Sequence, residues 1–297
     1  MSAATLGATL LEARQQIMHS LALDMDVAAL EAQVLLSHVL HKPRVYLMAY
    51  PEVELSALTL TQFSALLARR LLGEPIAYLT GQREFFGLTF LVTPEVLIPR
   101  PETELLVTLA LECIPVDKTV HVLDLGTGSG VIAITLAKHR PRARVTAVDL
   151  SPRALAVAKR NAARHETPNV AFVASNWFAA LAKTSPFDVI VSNPPYIAEN
   201  DPHLRARDIQ FEPGLALRAG VAGLDAIRHI CALSFELLSD SGHLLFEHGY
   251  DQRDACAALL SALGYTDVAC HLDLAGKARV SLGKKVDNGG KRSIIDD

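Results

Sequence analysis

From residue 121 onward, short apolar, β-prone segments alternate with stretches of helical spacing, and this alternation constrains the fold more tightly than any other feature. HVLDL, RVTAVDL, VAFVA, FDVIVSN and HLLFEHG read as strands, with helices opening at Ser129, at Pro152, near Gly223 and at Gln252. Strands that alternate with helices bury both faces of their sheet, so the pattern predicts a parallel, doubly wound α/β fold. Two closing segments, 266–274 and 278–283, are joined by a loop too short for a crossover. They predict an antiparallel hairpin at one sheet edge.

Ahead of that region, Leu6, Leu10, Ile17 and Leu21, then Val34, Leu35 and Val39, then Phe63, Leu66, Leu67 and Leu71 recur at helical spacing. They predict a small helical bundle over residues 1–84. Gly and Pro then punctuate short β-prone pieces, which read as a hairpin linker over 85–101. The α/β domain is expected over 102–285 and a disordered tail over 286–297.

Half of the chain is hydrophobic and its net charge is -4, which supports a sizeable core and argues against a surface that coats phosphate backbones. The bundle carries six Lys and Arg against eight Asp and Glu, so it lacks a basic footprint and reads as a protein-recognition module. Lys138, Arg140, Arg142 and Arg144 read as a solvated helix end and loop, with docking of a nucleic-acid-bound partner as the lesser alternative. Cys113, Cys231, Cys256 and Cys270 lack the close spacing of zinc or redox motifs and read as reduced core residues; no metal is expected. The first residues lack the basic and apolar regions of a secretory signal, and no apolar run reaches membrane-spanning length, so a cytoplasmic location without membrane contact is expected.

The first strand of the alternating region ends in Asp124, and Gly126, Thr127, Gly128, Ser129 and Gly130 follow it into a helix. Glycines at alternate positions let a ligand approach the backbone at a helix N-terminus, although they also serve close strand-to-helix packing. The spacing is neither that of a dinucleotide loop nor that of a P-loop. Asp149 ends the next strand, 19 positions after Gly130, where a carboxylate can accept two hydrogen bonds from a ribose diol. Helix capping is the lesser alternative there, since Ser151 and Pro152 already supply a start. Ser175, Asn176 and Trp177 follow the third strand, at the level of an adenine ring, and Trp177 also suits a core position.

Asn193-Pro194-Pro195-Tyr196 directly follows FDVIVS. Two prolines fix two φ angles and remove two donors, leaving rigid carbonyls free to accept from a ligand. With the Asn193 side chain, such a corner can hold both hydrogens of a planar NH2 group, while Tyr196 packs on its flat face. A turn without function is the minor alternative. The sequence contains no G-x-S-x-G or H-E-x-x-H pattern; Glu102 and Glu104 sit in a helix start, and His243 and His248 stand isolated.

Together, LDLGTGSG, AVDLS and SNPPYI resemble the class I S-adenosyl-L-methionine-dependent methyltransferases that act on an exocyclic or amide NH2 group. EPIAYLTGQREFFGL, LIPRPETELLV, DPHLRARDIQFEP and LLFEHG extend the resemblance, over nearly the whole chain, to the HemK/PrmC family of glutamine methyltransferases that modify class 1 peptide chain release factors. The resemblance implies that Gly126, Thr127, Gly128, Ser129 and Gly130 form the cofactor loop, Asp149 holds the ribose, and Trp177 lies beside the adenine. It implies further that Asn193 touches both methyl donor and substrate, and that Asn193, Pro194, Pro195 and Tyr196 enclose the glutamine of a Gly-Gly-Gln loop, with Asn193, Pro194 and Tyr196 as the catalytic group. Family members often carry an acidic residue before the tryptophan, whereas Asn176 stands here, which implies a rearranged adenine contact. The alternative reaction, amino-methylation of adenine or cytosine in nucleic acid, suits the same corner but not the acidic charge balance.

Overall fold

The apolar periodicity of the first 80 residues is realised as five helices, α1 (Leu6–Leu21), α2 (Met25–Leu40), α3 (Arg44–Ala49), α4 (Ala57–Leu71) and α5 (Ile76–Thr80). The computed structural model describes residues 4–181, 186–205 and 208–286. Thr5 and Ser56 start α1 and α4 by accepting the amides of Ala8 and Thr59 on their side-chain oxygens, which removes an orphan donor from each first turn. Leu6, Ile17, Leu35, Leu36, Phe63 and Leu67 meet in one core. Arg70 is buried beside it with every face of the guanidinium occupied. Glu31 accepts two of its bonds at 2.8 and 2.9 Å, and Asp208 with the carbonyls of Gly73 and Glu74 takes the others. Removing Glu31 would leave two buried N–H groups of Arg70 without acceptors and only Asp208 as its counter-charge, a costly way to break such a pair.

Two compact units divide the chain, one holding residues up to 82 with 205–211 and the other holding 83–204 and 212 onward. A hairpin forms as β1 (Gln82–Phe85) and β2 (Leu88–Leu91), earlier in the chain than the 85–101 expected for it, because the β-prone residues on both sides of the Phe86-Gly87 turn pair directly. It belongs to the second unit's core rather than lying outside it, because Phe85 and Phe90 are fully buried there with Leu106 and Ile132. Asn161 clamps β2: its Oδ1 accepts from the Leu91 amide at 2.7 Å, and its Nδ2 donates to the carbonyls of Leu91 and Ser129.

The second unit continues through α6 (Thr103–Cys113), β3 (His121–Leu125), α7 (Val131–His139), β4 (Arg144–Asp149), α8 (Pro152–Arg164) and β5 (Val170–Ala174). It ends with β6 (Phe187–Ser192), α9 (Asp225–Leu237), β7 (Leu238–Glu247), α10 (Arg253–Ala262), β8 (Thr266–Leu272) and β9 (Ala278–Lys284). The strand order is β5-β4-β3-β6-β7-β9-β8. The first five strands run parallel, and β9 lies antiparallel between β7 and β8. The fold is therefore a doubly wound α/β sheet with a closing antiparallel hairpin, accompanied by a helical N-terminal region.

The chain leaves β3 for β4 and β5 on one side, then returns to β6 and β7 on the other, which creates a switch point between β3 and β6. At their carboxyl ends Leu125 and Ser192 are register partners, and the Ser192 hydroxyl donates to the Leu125 carbonyl at 2.8 Å. Both short motifs of the sequence begin at this point. The four cysteines are free, with Cys231 and Cys256 buried. Residues 287–297 of the tail read as disordered lie outside the described residues.

Candidate methyl-transfer site

Leaving β3, the chain folds back on β4: the amides of Gly126 and Thr127 both donate to the Val148 carbonyl at 2.9 Å. Gly126, Gly128 and Gly130 all adopt left-handed conformations. Their reasons differ. A Cβ at Gly130 would come within 2.7 Å of Ile134 Cδ1 and 3.1 Å of Ala158 Cβ, so this glycine lets α7 pack against α8. A Cβ at Gly128 would meet nothing within 4 Å, so its bare backbone faces open space where a ligand can touch it. Thr127 and Ser129 are buried. The Thr127 hydroxyl donates to Asp124 Oδ2 at 2.6 Å, which also accepts the Ala133 amide at 3.2 Å. Asp124 Oδ1 is buried with no partner among the described residues, and burial pushes its carboxyl up to about 7.

Asp149, at the end of β4, ties two loops together. Its Oδ2 accepts the Gly128 amide and its Oδ1 the Ser151 amide, both at 2.8 Å. Ser151 caps α8 through the Ala154 amide, so Asp149 is not the cap. Each of its oxygens keeps lone-pair capacity for a hydroxyl donor. Trp177 adopts a left-handed backbone and packs, partly buried, against the core under the sheet's carboxyl edge. A Cβ at Gly126 would lie 3.7 Å from its Cζ3, which puts the indole beside the glycine loop. Ser175 is spent on its own turn, accepting the Ala180 amide, while Asn176 is exposed.

Across the switch point, Asn193 leaves β6 half-buried, Pro194 is buried, and Pro195 and Tyr196 are half-buried. The Asn193 Nδ2 donates to Thr103 Oγ1 at 3.0 Å, and that hydroxyl donates to Glu247 Oε2 at 2.7 Å. The Tyr196 hydroxyl donates to Glu247 Oε1 at 3.1 Å. Burial raises the phenol of Tyr196 and the carboxyl of Glu247, the latter offset by bonds from Thr103 and Tyr196 and by nearby Arg279. Gln252 steadies the backbone of the corner, with Nε2 donating to the carbonyls of Tyr196 and Gly223. Further along, buried Glu212 accepts the Ile98 amide at 3.0 Å and pairs with Arg100. The arrangement offers, on one side of the switch point, an open glycine backbone with a carboxylate, and on the other an amide side chain held by its nitrogen, its oxygen without a partner among the described residues.

Two family models match the chain: a methyltransferase small domain over residues 103–210 and a PrmC N-terminal domain over residues 12–81. The release factor glutamine methyltransferase of Vibrio cholerae serotype O1 is 48% identical over 94% of this chain and 96% of its own. That of Escherichia coli K12 is 45% identical over 86% of this chain and 91% of its own. This chain belongs to the release factor glutamine methyltransferase family. A methyltransferase structure from Pyrococcus furiosus, 20% identical, covers 75% of this chain and 99% of its own with a TM-score of 0.52, a likeness of fold.

Within that family frame, the structure brings Gly126 to Gly130 and Asp149 into direct contact and places Trp177 beside them. Asn193 to Tyr196 form the second corner. No local motif singles out Thr103, Glu247 and Glu212: Thr103 lies between Glu102 and Glu104 at a helix start, and Glu247 stands next to the isolated His248. A signal existed: HLLFE, like HVLD, ends an apolar strand in an acid. His248 is buried, its Nδ1 donating to the Gly249 carbonyl and its Nε2 accepting from the Ser281 hydroxyl, which gives it a packing role. In the basic stretch, Arg140 donates to the carbonyls of Ile114 and Leu111, Arg142 to that of Asp117, and Lys138 to that of His165. These cations finish helix and loop ends. Among the described residues no group of three or more His, Cys, Asp or Glu is placed to hold a metal ion, and no helix is long and apolar enough to cross a membrane.

Proposed function

We propose that the chain transfers a methyl group from S-adenosyl-L-methionine to the side-chain amide nitrogen of the glutamine in the Gly-Gly-Gln loop of class 1 peptide chain release factors. Family membership supplies the reaction class, and the observation that carries the site is the pinned Asn193 side chain at the switch point, opposite the open backbone of Gly128. The residues present suit the cofactor. Gly128 admits a ligand against bare backbone, Asp149 retains acceptor capacity for a diol, Trp177 offers an aromatic wall, and buried Asp124 puts acidic character beneath the loop.

When bound, S-adenosyl-L-methionine supplies an electrophilic methyl group on a sulfonium. The protein's part is orientation. An amide nitrogen is a poor nucleophile because its lone pair is delocalised, so it must be held in line and the positive charge it gains must be supported. The Asn193 Oδ1 and the Pro194 carbonyl accept the two amide hydrogens, and Tyr196 closes over the flat face of the group. Both acceptors strengthen as the nitrogen becomes positive, and the proton can leave after transfer without a dedicated base.

We propose further that residues 1–84 dock the release factor. The helices of that region expose Val45 and Met48, each 68% accessible, together with Met25, Val27 and Leu58, and carry no excess of basic charge. Lys138, Arg140 and Arg142 are engaged with backbone carbonyls at helix and loop ends, and the net charge of -4 weighs against the nucleic-acid alternative. The site runs in the cytoplasm, where release factors act.

The test is transfer of labelled methyl from S-adenosyl-L-methionine into purified release factor, followed by peptide mass mapping. The expected result is one methyl group on the glutamine of the Gly-Gly-Gln loop. Label found instead on duplex or single-stranded nucleic acid, with none on release factor, would overturn the reading.

A further inference from the structure

The Asn193 amide has an oxygen and a nitrogen of nearly the same shape, so packing cannot decide which of them faces the substrate. Hydrogen bonding decides. Thr103 Oγ1 carries one hydrogen, and that hydrogen is committed to Glu247 Oε2 at 2.7 Å. The oxygen therefore offers only lone pairs to Asn193, whose Nδ2 donates to it at 3.0 Å. A flipped Asn193 would set its Oδ1 against an oxygen that has no hydrogen to give, an unsatisfied pair of acceptors at a half-buried position.

Resting on the reading that Asn193 orients a substrate amide, we propose that Thr103 and Glu247 are positioning residues: ionised Glu247 commits the Thr103 hydroxyl and so holds Asn193 with its nitrogen inward and its oxygen toward the substrate. Tyr196, bonded to the other oxygen of Glu247, ties the far end of the same corner to the same carboxylate. The chain of contacts thus links a residue at the start of α6 and one at the end of β7 to both ends of the Asn-Pro-Pro-Tyr loop.

The arrangement makes the orientation depend on pH. A protonated Glu247 can itself donate to Thr103 Oγ1, which frees the threonine hydrogen to turn toward Asn193 and lets both amide orientations be satisfied. The groups around Glu247 pull in both directions. Burial and Glu102 favour the protonated form, while Thr103, Tyr196 and Arg279 favour the ionised one. Arg100 acts on Tyr196, and the imidazole of neighbouring His248, its pKa lowered by burial, is engaged with Gly249 and Ser281. The balance leaves the Glu247 carboxyl above its usual range, so the loss of orientation on acidification begins at higher pH than for an exposed glutamate.

Two measurements on the full chain test this. In single turnover at saturating cofactor, Thr103→Val is expected to slow methyl transfer into release factor by about tenfold to a hundredfold, the usual span for lost positioning. Cofactor affinity and the half-saturating release factor concentration should stay within about threefold, since the variant keeps the shape of threonine. Thr103→Ser, which restores the hydroxyl, should recover most of the rate. Independently, without cofactor, the side-chain NH2 resonances of Asn193 are expected to shift as an acid titration proceeds in the wild type and to stay still in Glu247→Gln. Wild-type rate in Thr103→Val, equal loss in Thr103→Val and Thr103→Ser, or Asn193 resonances that ignore pH would each overturn the proposal. Responsive Asn193 resonances in a wild type that leaves release factor unmethylated would support the positioning pair and overturn the substrate reading instead.

Discussion

Asp124 closes β3 completely buried, with one oxygen held by Thr127 and Ala133 and the other without a partner among the described residues. Its carboxyl titrates near 3.8 in an unfolded chain and near 7 when folded, burial being the main cause. Between those values the folded protein keeps a proton that the unfolded chain has released. Stability therefore falls as pH rises from about 4 to about 7 and levels off above that, the opposite of a salt-bridged aspartate. Asn at this position is never charged, so Asp124→Asn should gain on the wild type by about 2 to 3 kcal/mol between pH 5 and pH 8. Thermal unfolding of both proteins at the two pH values measures the change. A gap that stays constant would mean that Asp124 titrates in its ordinary range. Such a cost at neutral pH is a reason to look for function, because an unpaired buried acid beneath a ligand loop destabilises the fold unless it serves what binds above it.

The segment from β3 through the glycine loop to α7 carries two requirements that one sequence pattern hides. Gly130 is a packing glycine and Gly128 a surface one, although both have positive φ. Gly130→Ala must push Ile134 and Ala158 aside in a left-handed conformation and should cost about 1 to 3 kcal/mol of stability. Gly128→Ala should cost only about 1 kcal/mol, for the backbone conformation alone, yet it puts a methyl group into the open cradle. Its cofactor affinity should drop by more than that of Gly130→Ala. Calorimetric unfolding and cofactor titration of both variants would show it, and equal affinities would move the cofactor away from Gly128. The sheet and its switch point were legible in the sequence because strand and helix periodicities are local, and both motifs stand directly after apolar strands. The network behind Asn193 was not. Thr103 and Glu247 are 144 positions apart, and their meeting is a consequence of α6 packing against β7, a contact that no local pattern encodes. The short helices α3 and α5 were equally invisible, since five or six residues give too few repeats for a period.

The two units have separate cores. One is built from residues between Leu6 and Leu79, and the clusters of the other draw only on residues from Phe85 onward. A unit with its own core can fold without the other, and every residue proposed to hold the cofactor or the glutamine belongs to the second. A chain beginning at residue 83 should therefore bind S-adenosyl-L-methionine within about threefold of the full chain's affinity, because no contact to the cofactor has been removed. Transfer into whole release factor should behave differently. If the exposed apolar residues of α2, α3 and α4 form the docking surface, removing them takes away burial worth several kcal/mol, and transfer at low release factor concentration should fall by about a hundredfold or more. A short Gly-Gly-Gln peptide lacks the release factor body that would dock, so the full and shortened chains should methylate it at similar, slow rates. Cofactor titration and single-turnover transfer on both substrates give the three numbers. Equal rates on whole release factor would place docking on the α/β unit itself, and loss of cofactor binding from a shortened chain that still unfolds cooperatively would mean that the cofactor site draws on residues before 83.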